Sequence, residues 1–445
     1  MRFLQAALIW VLITFMVVPP DLQYEHLQFA LTTGSLTGPL ILSSVLLVGL
    51  VAVGSRYGQA RALLRQVNPF LLLFVALATA SALWSADPAA TARRLFRLYA
   101  FLVGCFAFAL VGWHRQRFQN VVRPALTVLL AGSILFGLLA PELAIEKSEV
   151  NGVTMAELVG AWRGLAMQKN ALGEIAAVGT LLWVHALLSR EAGLLRVLPG
   201  LGVSVACLLL SRSSTSVFAT VFAVPFLYLI VRPPAPALRR YTPFLIAVFA
   251  GLITLYSLAV LNIIPGLGMI LEPITALAGK DMTFSGRTLI WSIIKEQIGL
   301  HPWLGIGYGA YWTGAVPQSP SYEFVLRTYV YPTQSHNGYL DLINELGFVG
   351  GACLVAYQVA YLRQGLRFWR VDRYQGGLYL AMIFQEFIGN LTEANWLNVA
   401  SLNFLVLTLA TVCMARGPGA PAGGGSPAPR RGGLRPQPLL PRRSR

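Results

Sequence analysis

Two arginines of the sequence have neighbours that suit an anionic ligand. Arg212 lies in LLLSRSSTS, where an apolar run ends among hydroxyls that begin with Ser211, and Arg287 lies in TFSGRTLIW. A guanidinium binds phosphate oxygens through a fork of N–H groups that lysine lacks, and the positive end of the next helix would add to a site at Arg212. The alternative for Arg212 is an arginine that extends to lipid headgroups beside a serine cap, and the sequence favours neither interpretation.

One histidine lies in a polar cluster. His336 occurs in PTQSHNGYLDLINELGFVG, directly before Asn337, whereas the other four histidines have no comparable neighbours. An imidazole with its ordinary pKa near 6.5 accepts a proton near neutral pH, so a histidine here suits the activation of a hydroxyl nucleophile. A histidine at a helix boundary can also be structural, or it can donate a hydrogen bond to a phosphate, and both alternatives stay open.

A third polar segment, WRGLAMQKN, brings Arg163, Lys169 and Asn170 together before an apolar run. Contact with lipid headgroups would account for the two cations. It does not require the amides of Gln168 and Asn170, so we expect this segment to lie at the same surface as the other two.

The four cysteines lie within apolar runs or at the end of one, without CxxC spacing and without a neighbouring histidine. Isolated cysteines of this kind are typical of small packing residues. We therefore expect neither a metal site nor a cofactor.

The composition places these segments in a membrane protein. Of the 445 residues, 56% are hydrophobic and only 12% are charged, which is about half the charged fraction of an ordinary soluble domain. The apolar residues fall in runs close to the roughly 20 residues that cross a hydrocarbon core as a helix. The sequence therefore predicts an all-α polytopic membrane protein with about twelve transmembrane helices. The predicted spans are 4–20, 36–53, 67–84, 95–112, 124–140, 168–188, 196–211, 214–231, 242–262, 338–361, 376–391 and 397–415.

The loops on the two sides of the membrane differ in charge. With the N-terminus in the cytoplasm, the cytoplasmic segments hold 23 of the 34 Lys and Arg residues but only two acids, Glu191 and Asp372. Basic residues beside a span are retained in the cytoplasm, so both termini are predicted to be cytoplasmic. The same bias accounts for the net charge of +16 without a nucleic-acid partner.

The chain divides into a transmembrane domain at 1–415, which includes a long periplasmic loop at 263–337, and a basic tail at 416–445. The tail has too few large apolar residues to form a core, so we expect it to be disordered. Its arginines either contact anionic lipid headgroups or have no role.

The long loop contains a short predicted helix. Thr283 or Ser285 is the expected N-cap and the helix ends near Gly299, so Arg287 and Trp291 lie one turn apart on one side. The following HPWLGIGYGAYW has no strand before it. It predicts a glycine-rich turn that permits close backbone packing and not a dinucleotide site.

In their order along the chain, these motifs resemble those of O-antigen ligases. His336-Asn337, followed after nine residues by GFVG, fits the pattern H-N/S/Q-x9-G-x-x-G/T/Y of that family. The WRG…KN, SRSS and SGR segments precede it in the family's order, and the similarity extends from about Trp162 to Gly350. The superfamily also contains O-antigen polymerases and bacterial protein O-oligosaccharyltransferases.

The resemblance implies a GT-C-like enzyme of the bacterial inner membrane. It would transfer a glycan from undecaprenyl diphosphate to a hydroxyl of lipid A-core at the periplasmic face, with inversion and without a metal. Arginines would stabilise the leaving diphosphate, and the histidine would act as the base or as a phosphate ligand. The predicted site residues are the catalytic His336, Arg212 and Arg287, the additional donor-binding Lys169 and Arg163, and the supporting Asn337, Asn170 and Ser211.

A transporter of lipid-linked glycans is the main alternative that is not an enzyme. Transporters place ionisable groups near the bilayer midplane and have repeated halves. Apart from Asp341 and Glu345 in the His336 motif, the only acids within predicted spans are Glu174 and Glu386, and no internal repeat is evident. We favour a buried hydrogen-bonded network for Glu386 over a contact to the acceptor. Among the enzymes, ligase is favoured first, polymerase second and protein O-oligosaccharyltransferase third.

Overall fold

The computed structural model describes residues 2–19, 24, 36–146, 149–150, 153–154, 159–232, 287–328 and 331–417, with a few residues between 240 and 251. Three predicted features lie largely or wholly outside the described residues. They are the span at 242–262, the helix caps at Thr283 and Ser285, and the tail beyond Gly417.

Helices make up nearly all of the regular structure in the described residues. Two short strands, β1 (Glu149–Val150) and β2 (Val153–Thr154), form an antiparallel pair. The helices are α1 (Arg2–Val17), α2 (Thr37–Gly54), α3 (Tyr57–Leu64), α4 (Pro69–Ala80), α5 (Pro88–Leu110), α6 (Arg117–Leu139), α7 (Pro141–Ala144), α8 (Lys169–Ser189), α9 (Leu194–Leu210), α10 (Ser214–Val231), α11 (Arg287–Leu300), α12 (Glu323–Thr328), α13 (Gly338–Val371), α14 (Arg373–Gly389) and α15 (Leu402–Arg416).

Eleven of the twelve predicted spans coincide with helices of the structure. Within the described residues, α2, α6, α8, α10 and α13 are long and apolar enough to cross a membrane, and α3 with α4 forms a sixth candidate that is bent by 98°. Helices α1, α9 and α15 are apolar but shorter. The all-α membrane fold is confirmed, whereas the number twelve stays a prediction.

Polar side chains fix the starts of the helices that surround the site. The first N–H groups of a helix have no partner within it, and an Asn, Ser or Asp side chain at the N-cap accepts from them at a gain of about 1 kcal/mol. Asn337 does so for α13, Ser213 for α10 and Asp372 for α14.

Helices α14 and α15 form the centre of the bundle. Helix α14 is buried from Gln375 to Ile388 and α15 from Leu402 to Ala415, as expected of helices that are apolar on every side. Helix α14 packs against α8, α10 and α13. The loop at 390–401 joins α14 to α15, so its polar residues lie in the middle of the bundle at one end and are mostly buried.

The described part of the long outer loop has an apolar core of its own. In α11 the side chains of Trp291, Ile294 and Ile298 are buried, whereas Lys295 and Glu296 are exposed. The buried face packs on Tyr311, Phe324 and other residues of the same cluster, among them Leu340 in the first turn of α13. Helix α11 is therefore fixed on the bundle at the end where His336 lies.

Helix α13 is broken at Gly347, the first glycine of the GFVG sequence. Gly347 has φ 66° and ψ −170°, and a Cβ on it would lie 2.2 Å from the carbonyl of Trp303. Next to this break, the N–H groups of Ile306 and Gly307 donate to carbonyls at the end of the helix's first segment. The predicted glycine-rich turn is thus confirmed. The predicted span at 338–361 coincides with the first part of α13, which is interrupted at Gly347, where backbone crosses it, and continues to Val371.

Candidate functional site

The backbone of His336 is held in an unusual conformation. It has φ 54°, the left-handed region that costs a residue other than glycine about 1–3 kcal/mol. The neighbouring Ser335 donates its N–H to the carboxylate of Asp341, at 3.2 Å, and its hydroxyl to the carbonyl of Asn337. Trp291 donates from Nε1 to the carbonyl of Ser335 at 2.9 Å. These bonds on both sides of His336 hold its side chain at the start of α13.

The carboxylate of Glu393 is the centre of the site. Glu393 is buried in the loop between α14 and α15. Its Oε2 lies 3.5 Å from Nδ1 of His336, and its Oε1 lies 3.6 Å from Nη2 of Arg287. It also accepts hydrogen bonds from Nδ2 of Asn170, at 2.7 Å, and from Nε2 of Gln334, at 2.9 Å. Three segments that are distant in sequence therefore meet on one buried anion.

Arg287 is held at the first residue of α11. Its Nη1 donates to the carbonyl of Thr392 at 3.0 Å, and its side chain is 22% exposed. Trp291, one turn later, also faces the residues around His336, which confirms that both side chains lie on one side of α11. The arginine thus binds the Thr392–Glu393 segment while part of its guanidinium remains accessible.

The tautomer of His336 depends on two neighbours. Nδ1 lies 3.3 Å from Nε2 of Gln334 and 3.5 Å from Oε2 of Glu393. If Nδ1 carries the proton it faces the carboxylate, and Nε2 is free to accept a proton. If Nδ1 accepts from Gln334, Nε2 carries the proton and is a donor. The roles of base and of phosphate donor, which the sequence leaves open for this histidine, correspond to these two tautomers.

Buried amides hold the Glu393 loop in place. Asn390 accepts the N–H groups of Asn395 and Trp396 and donates to the carboxylate of Glu386. Asn395 in turn donates to Oε1 of Glu174 at 2.8 Å. Glu174 and Glu386, the two acids singled out within spans, both belong to this network, which is the arrangement favoured above for Glu386.

Arg212 lies beside this site without contacting it. Like His336 it has a left-handed backbone, with φ 47°, and its exposed side chain donates to the carbonyl of Val159 at 2.7 Å. A Cβ at Gly173 of α8 would lie 2.7 Å from Cβ of Ser213, so this turn packs closely on the helix that carries Asn170. In the described part of the chain, no hydrogen bond or ion pair joins Arg212 to Arg287 or His336.

The hydroxyl of Ser211 and the amide of Asn337 form hydrogen bonds with the backbone. Ser211 is buried, donates to the carbonyl of Leu208 and accepts the N–H of Ser213. Asn337 accepts from the first turn of α13. Both side chains therefore shape the turns that carry Arg212 and His336.

Arg163 and Lys169 lie next to a different carboxylate. Arg163 donates to the carbonyls of Leu143 and Tyr24, at 2.8 and 3.0 Å, and lies over the Tyr24 ring. Burial raises the pKa of Glu146, and the nearby Arg163 and Lys169 partly offset that rise. Neither cation is joined to Glu393 by a described ion pair. Of the eight predicted site residues, Asn170, Arg287 and His336 thus converge directly.

Sequence reasoning missed Glu393 and Gln334. The charge bias of membrane proteins concerns Lys and Arg and does not mark an acid in an outer loop, so nothing local distinguishes Glu393 in NLTEANW. Gln334 was visible only as part of the polar run before His336. Within the described ranges, no three His, Cys, Asp or Glu side chains are grouped so that they could hold a metal ion.

The apolar helices and the polar cluster at one end of the bundle define a multi-pass membrane protein with a buried charged site. Residues 199–355, which contain Arg212, Arg287 and His336, match the model of the O-antigen ligase family. The exopolysaccharide production protein ExoQ of Rhizobium meliloti (strain 1021) is 28% identical over 313 residues, which cover 68% of this chain and 67% of that protein. Together these matches support the O-antigen ligase and polymerase superfamily, whose members act on lipid-linked glycans.

Proposed function

We propose that this protein is an O-antigen ligase. It transfers a glycan from undecaprenyl diphosphate to a hydroxyl of lipid A-core, at the periplasmic face of the bacterial inner membrane, with both of its termini in the cytoplasm. The observation that carries the proposal is the convergence of Arg287, His336 and Asn170 on Glu393. The first two of these residues lie within the segment that matches the ligase family.

The proposed reaction is a single displacement with inversion and without a metal. The acceptor oxygen bonds to the anomeric carbon while the bond from that carbon to the diphosphate breaks, and undecaprenyl diphosphate leaves with the electron pair. The hydroxyl proton passes to Nε2 of His336. The accessible N–H groups of Arg287 stabilise the charge that develops on the leaving group. Arg212, which is exposed beside the site, is proposed to approach the same diphosphate once the donor is bound.

Glu393 has a positioning role in this proposal. A carboxylate at Nδ1 favours the tautomer whose Nε2 is free, in the way that a third group orients the base in other enzymes. The same carboxylate lies at Arg287, so one buried anion sets the position of both the base and the diphosphate-binding cation. Asn170 and Gln334 then hold the carboxylate itself.

The direct test is the lipopolysaccharide of a strain that lacks this chain. Loss of all long-chain bands, with accumulation of lipid-linked polymer, is the expected result for a ligase. Complementation with His336→Ala should fail. Complementation with Arg327→Ala should succeed, because Arg327 is an exposed outer arginine that pairs with Glu296 and Glu323. An unchanged profile in the deletion strain would contradict the proposal.

Polymerisation of lipid-linked repeats is the second candidate function. The observation that favours it is the similarity to a protein named for exopolysaccharide production. The chemistry at Arg287 and His336 would be the same, and only the acceptor would differ. A deletion strain that retains single-repeat bands would indicate the polymerase.

A further inference from the structure

Three arginines share one face of α13 at the end opposite to His336. They are Arg363, Arg367 and Arg370. All three are exposed, and their spacing of four and three residues places them within one sector of the helix. Tyr361 and Phe368, on the opposite side, are buried. Since α13 has 34 residues at about 1.5 Å per residue, this face lies tens of ångströms from the site.

Two further arginines lie beside this face. Arg61 and Arg65 are exposed at the end of α3. Gln364 of α13 donates from Nε2 to the carbonyl of Gln66 at 3.5 Å, which brings the end of α3 next to the arginine face. We call the five residues Arg61, Arg65, Arg363, Arg367 and Arg370 the arginine patch.

The charge of the arginine patch is not balanced by the protein. In the described part of the chain none of the five forms an ion pair. The two acids predicted on this side are engaged elsewhere: Glu191 with Arg123 at 3.0 Å, and Asp372 with Arg115. The segments 233–239 and 418–445, which lie outside the described residues on the same predicted side, contain no Asp or Glu.

The geometry favours a membrane surface as the source of the anions that balance the charge of the arginine patch. Helices α3 and α4 are bent by 98°, so if α4 crosses the membrane, α3 lies along its surface. The arginines of α13 are exposed and so point away from the bundle. Arginine side chains at the ends of spans extend to the headgroup layer, and each adds attraction to anionic lipid.

We propose that the arginine patch binds the phosphate headgroups of anionic lipids in the leaflet opposite to the His336 site. The basic tail is excluded as an occupant by its own charge. The patch thereby fixes the depth and tilt of α13, the helix whose other end carries His336. This binding does not depend on which glycan the protein transfers.

The test uses the full-length protein in nanodiscs that contain equal amounts of phosphatidylglycerol and phosphatidylcholine with the same acyl chains. Native mass spectrometry counts the lipids that remain bound. We expect the wild-type protein to retain phosphatidylglycerol in preference. Arg61→Gln/Arg65→Gln should lower its apparent affinity on the order of 25-fold, which is about fivefold for each arginine removed.

The matched control is Arg190→Gln/Arg196→Gln, which removes two exposed arginines at the same end of the bundle but outside the patch. Because these two arginines lie outside the cluster of five, this control should lose much less phosphatidylglycerol retention than the patch variant. A second patch variant changes the arginines of α13: Arg363→Gln/Arg367→Gln/Arg370→Gln. If one of the two patch variants misfolds, the other still tests the proposal. Equal retention of the two lipids by the wild-type protein, or equal losses in the patch and control variants, would overturn the proposal. Binding of soluble heparin without a lipid preference would also overturn it, in favour of a soluble polyanionic partner.

Discussion

The two ends of the helix bundle contain the same set of residue types around a buried glutamate. At one end Glu393 contacts Arg287, His336 and Gln334. At the other, Glu191 contacts Arg123, His185 and Gln119, at 3.0, 3.8 and 2.8 Å. The list of residue types alone would therefore assign chemistry to both.

The two clusters differ in exposure and in backbone strain. The side chains of Arg287 and His336 are 22% and 25% exposed, whereas those of Arg123 and His185 are 9% and 0% exposed. His336 has a left-handed backbone, and His185 lies inside the regular helix α8. A ligand can reach the first cluster and not the second. On the proposed function, access and backbone strain, and not composition, distinguish the Glu393 cluster from a structural ion-pair network.

The largest effect is expected at the two histidines. His336→Gln should reduce transfer by about 100-fold to 10,000-fold, the usual contribution of a general base, because glutamine can form hydrogen bonds but cannot take a proton. Donor affinity should remain nearly unchanged if His336 is the base, and should fall with turnover if it is a phosphate ligand. His185→Gln should leave transfer per folded molecule unchanged. The measurements are donor affinity and turnover in proteoliposomes, and an active His336→Gln protein would show that His336 is not the base.

The next effect is expected at Arg287. Arg287→Ala should reduce transfer by about two orders of magnitude, since one charge-stabilising donor contributes roughly 3 kcal/mol to the barrier. Arg287→Lys should restore only part of the rate, because it lacks the fork of N–H groups. Arg212→Ala and Arg212→Lys should change the transfer rate in the same way if that exposed arginine also binds the diphosphate. Full activity of both alanine variants at normal membrane levels would refute the diphosphate role.

Arg123 is the counterpart of Arg287 at the other end of the bundle, and its removal should affect stability instead of transfer. Arg123→Ala leaves the buried Glu191 with a less complete set of partners, and removal of one member of a buried pair costs about 3–5 kcal/mol. A lower unfolding temperature in detergent is expected, with a normal transfer rate in the protein that remains folded. A normal unfolding temperature together with loss of transfer would contradict a purely structural role for the Glu191 cluster.

The smallest effect is expected at Asn337. Asn337→Ala removes the N-cap of α13 and should cost about 1 kcal/mol of stability, while transfer falls only as far as the adjacent His336 is displaced. Asn337→Ser, which can still cap the helix, should recover the wild-type unfolding temperature. A loss of transfer as large as that of His336→Gln, in both variants, would assign Asn337 a direct role.

Most of the fold could be predicted from the apolar runs, because length and hydropathy alone identify a membrane helix. The break at Gly347 could not, since a left-handed glycine within an apolar run leaves no local pattern and is required only by the backbone near Trp303 that crosses there. The extension of α13 to Val371 was also missed. Its arginines suggested a cytoplasmic loop, although their spacing is that of a helix face.

The candidate site was predictable only in part, for a related reason. Arg287 and His336 lie in polar motifs that contrast with their apolar surroundings, so sequence alone points to them. Glu393 lies 57 residues after His336, in a loop where an acid is unremarkable. Its importance arises from the packing of α8, α11, α13 and α14 around that loop, which no local spacing encodes.

The most direct test of the contrast between the two clusters is the transfer rate of Glu393→Gln and Glu191→Gln in proteoliposomes, normalised to folded protein. Both substitutions keep the shape of the side chain and remove its charge. Glu393→Gln should lose a large part of the base contribution, because Nδ1 of His336 and Nη2 of Arg287 lose the anion that orients them. Glu191→Gln should retain the wild-type rate. Equal rates in the two variants would contradict the assignment of catalysis to the Glu393 cluster.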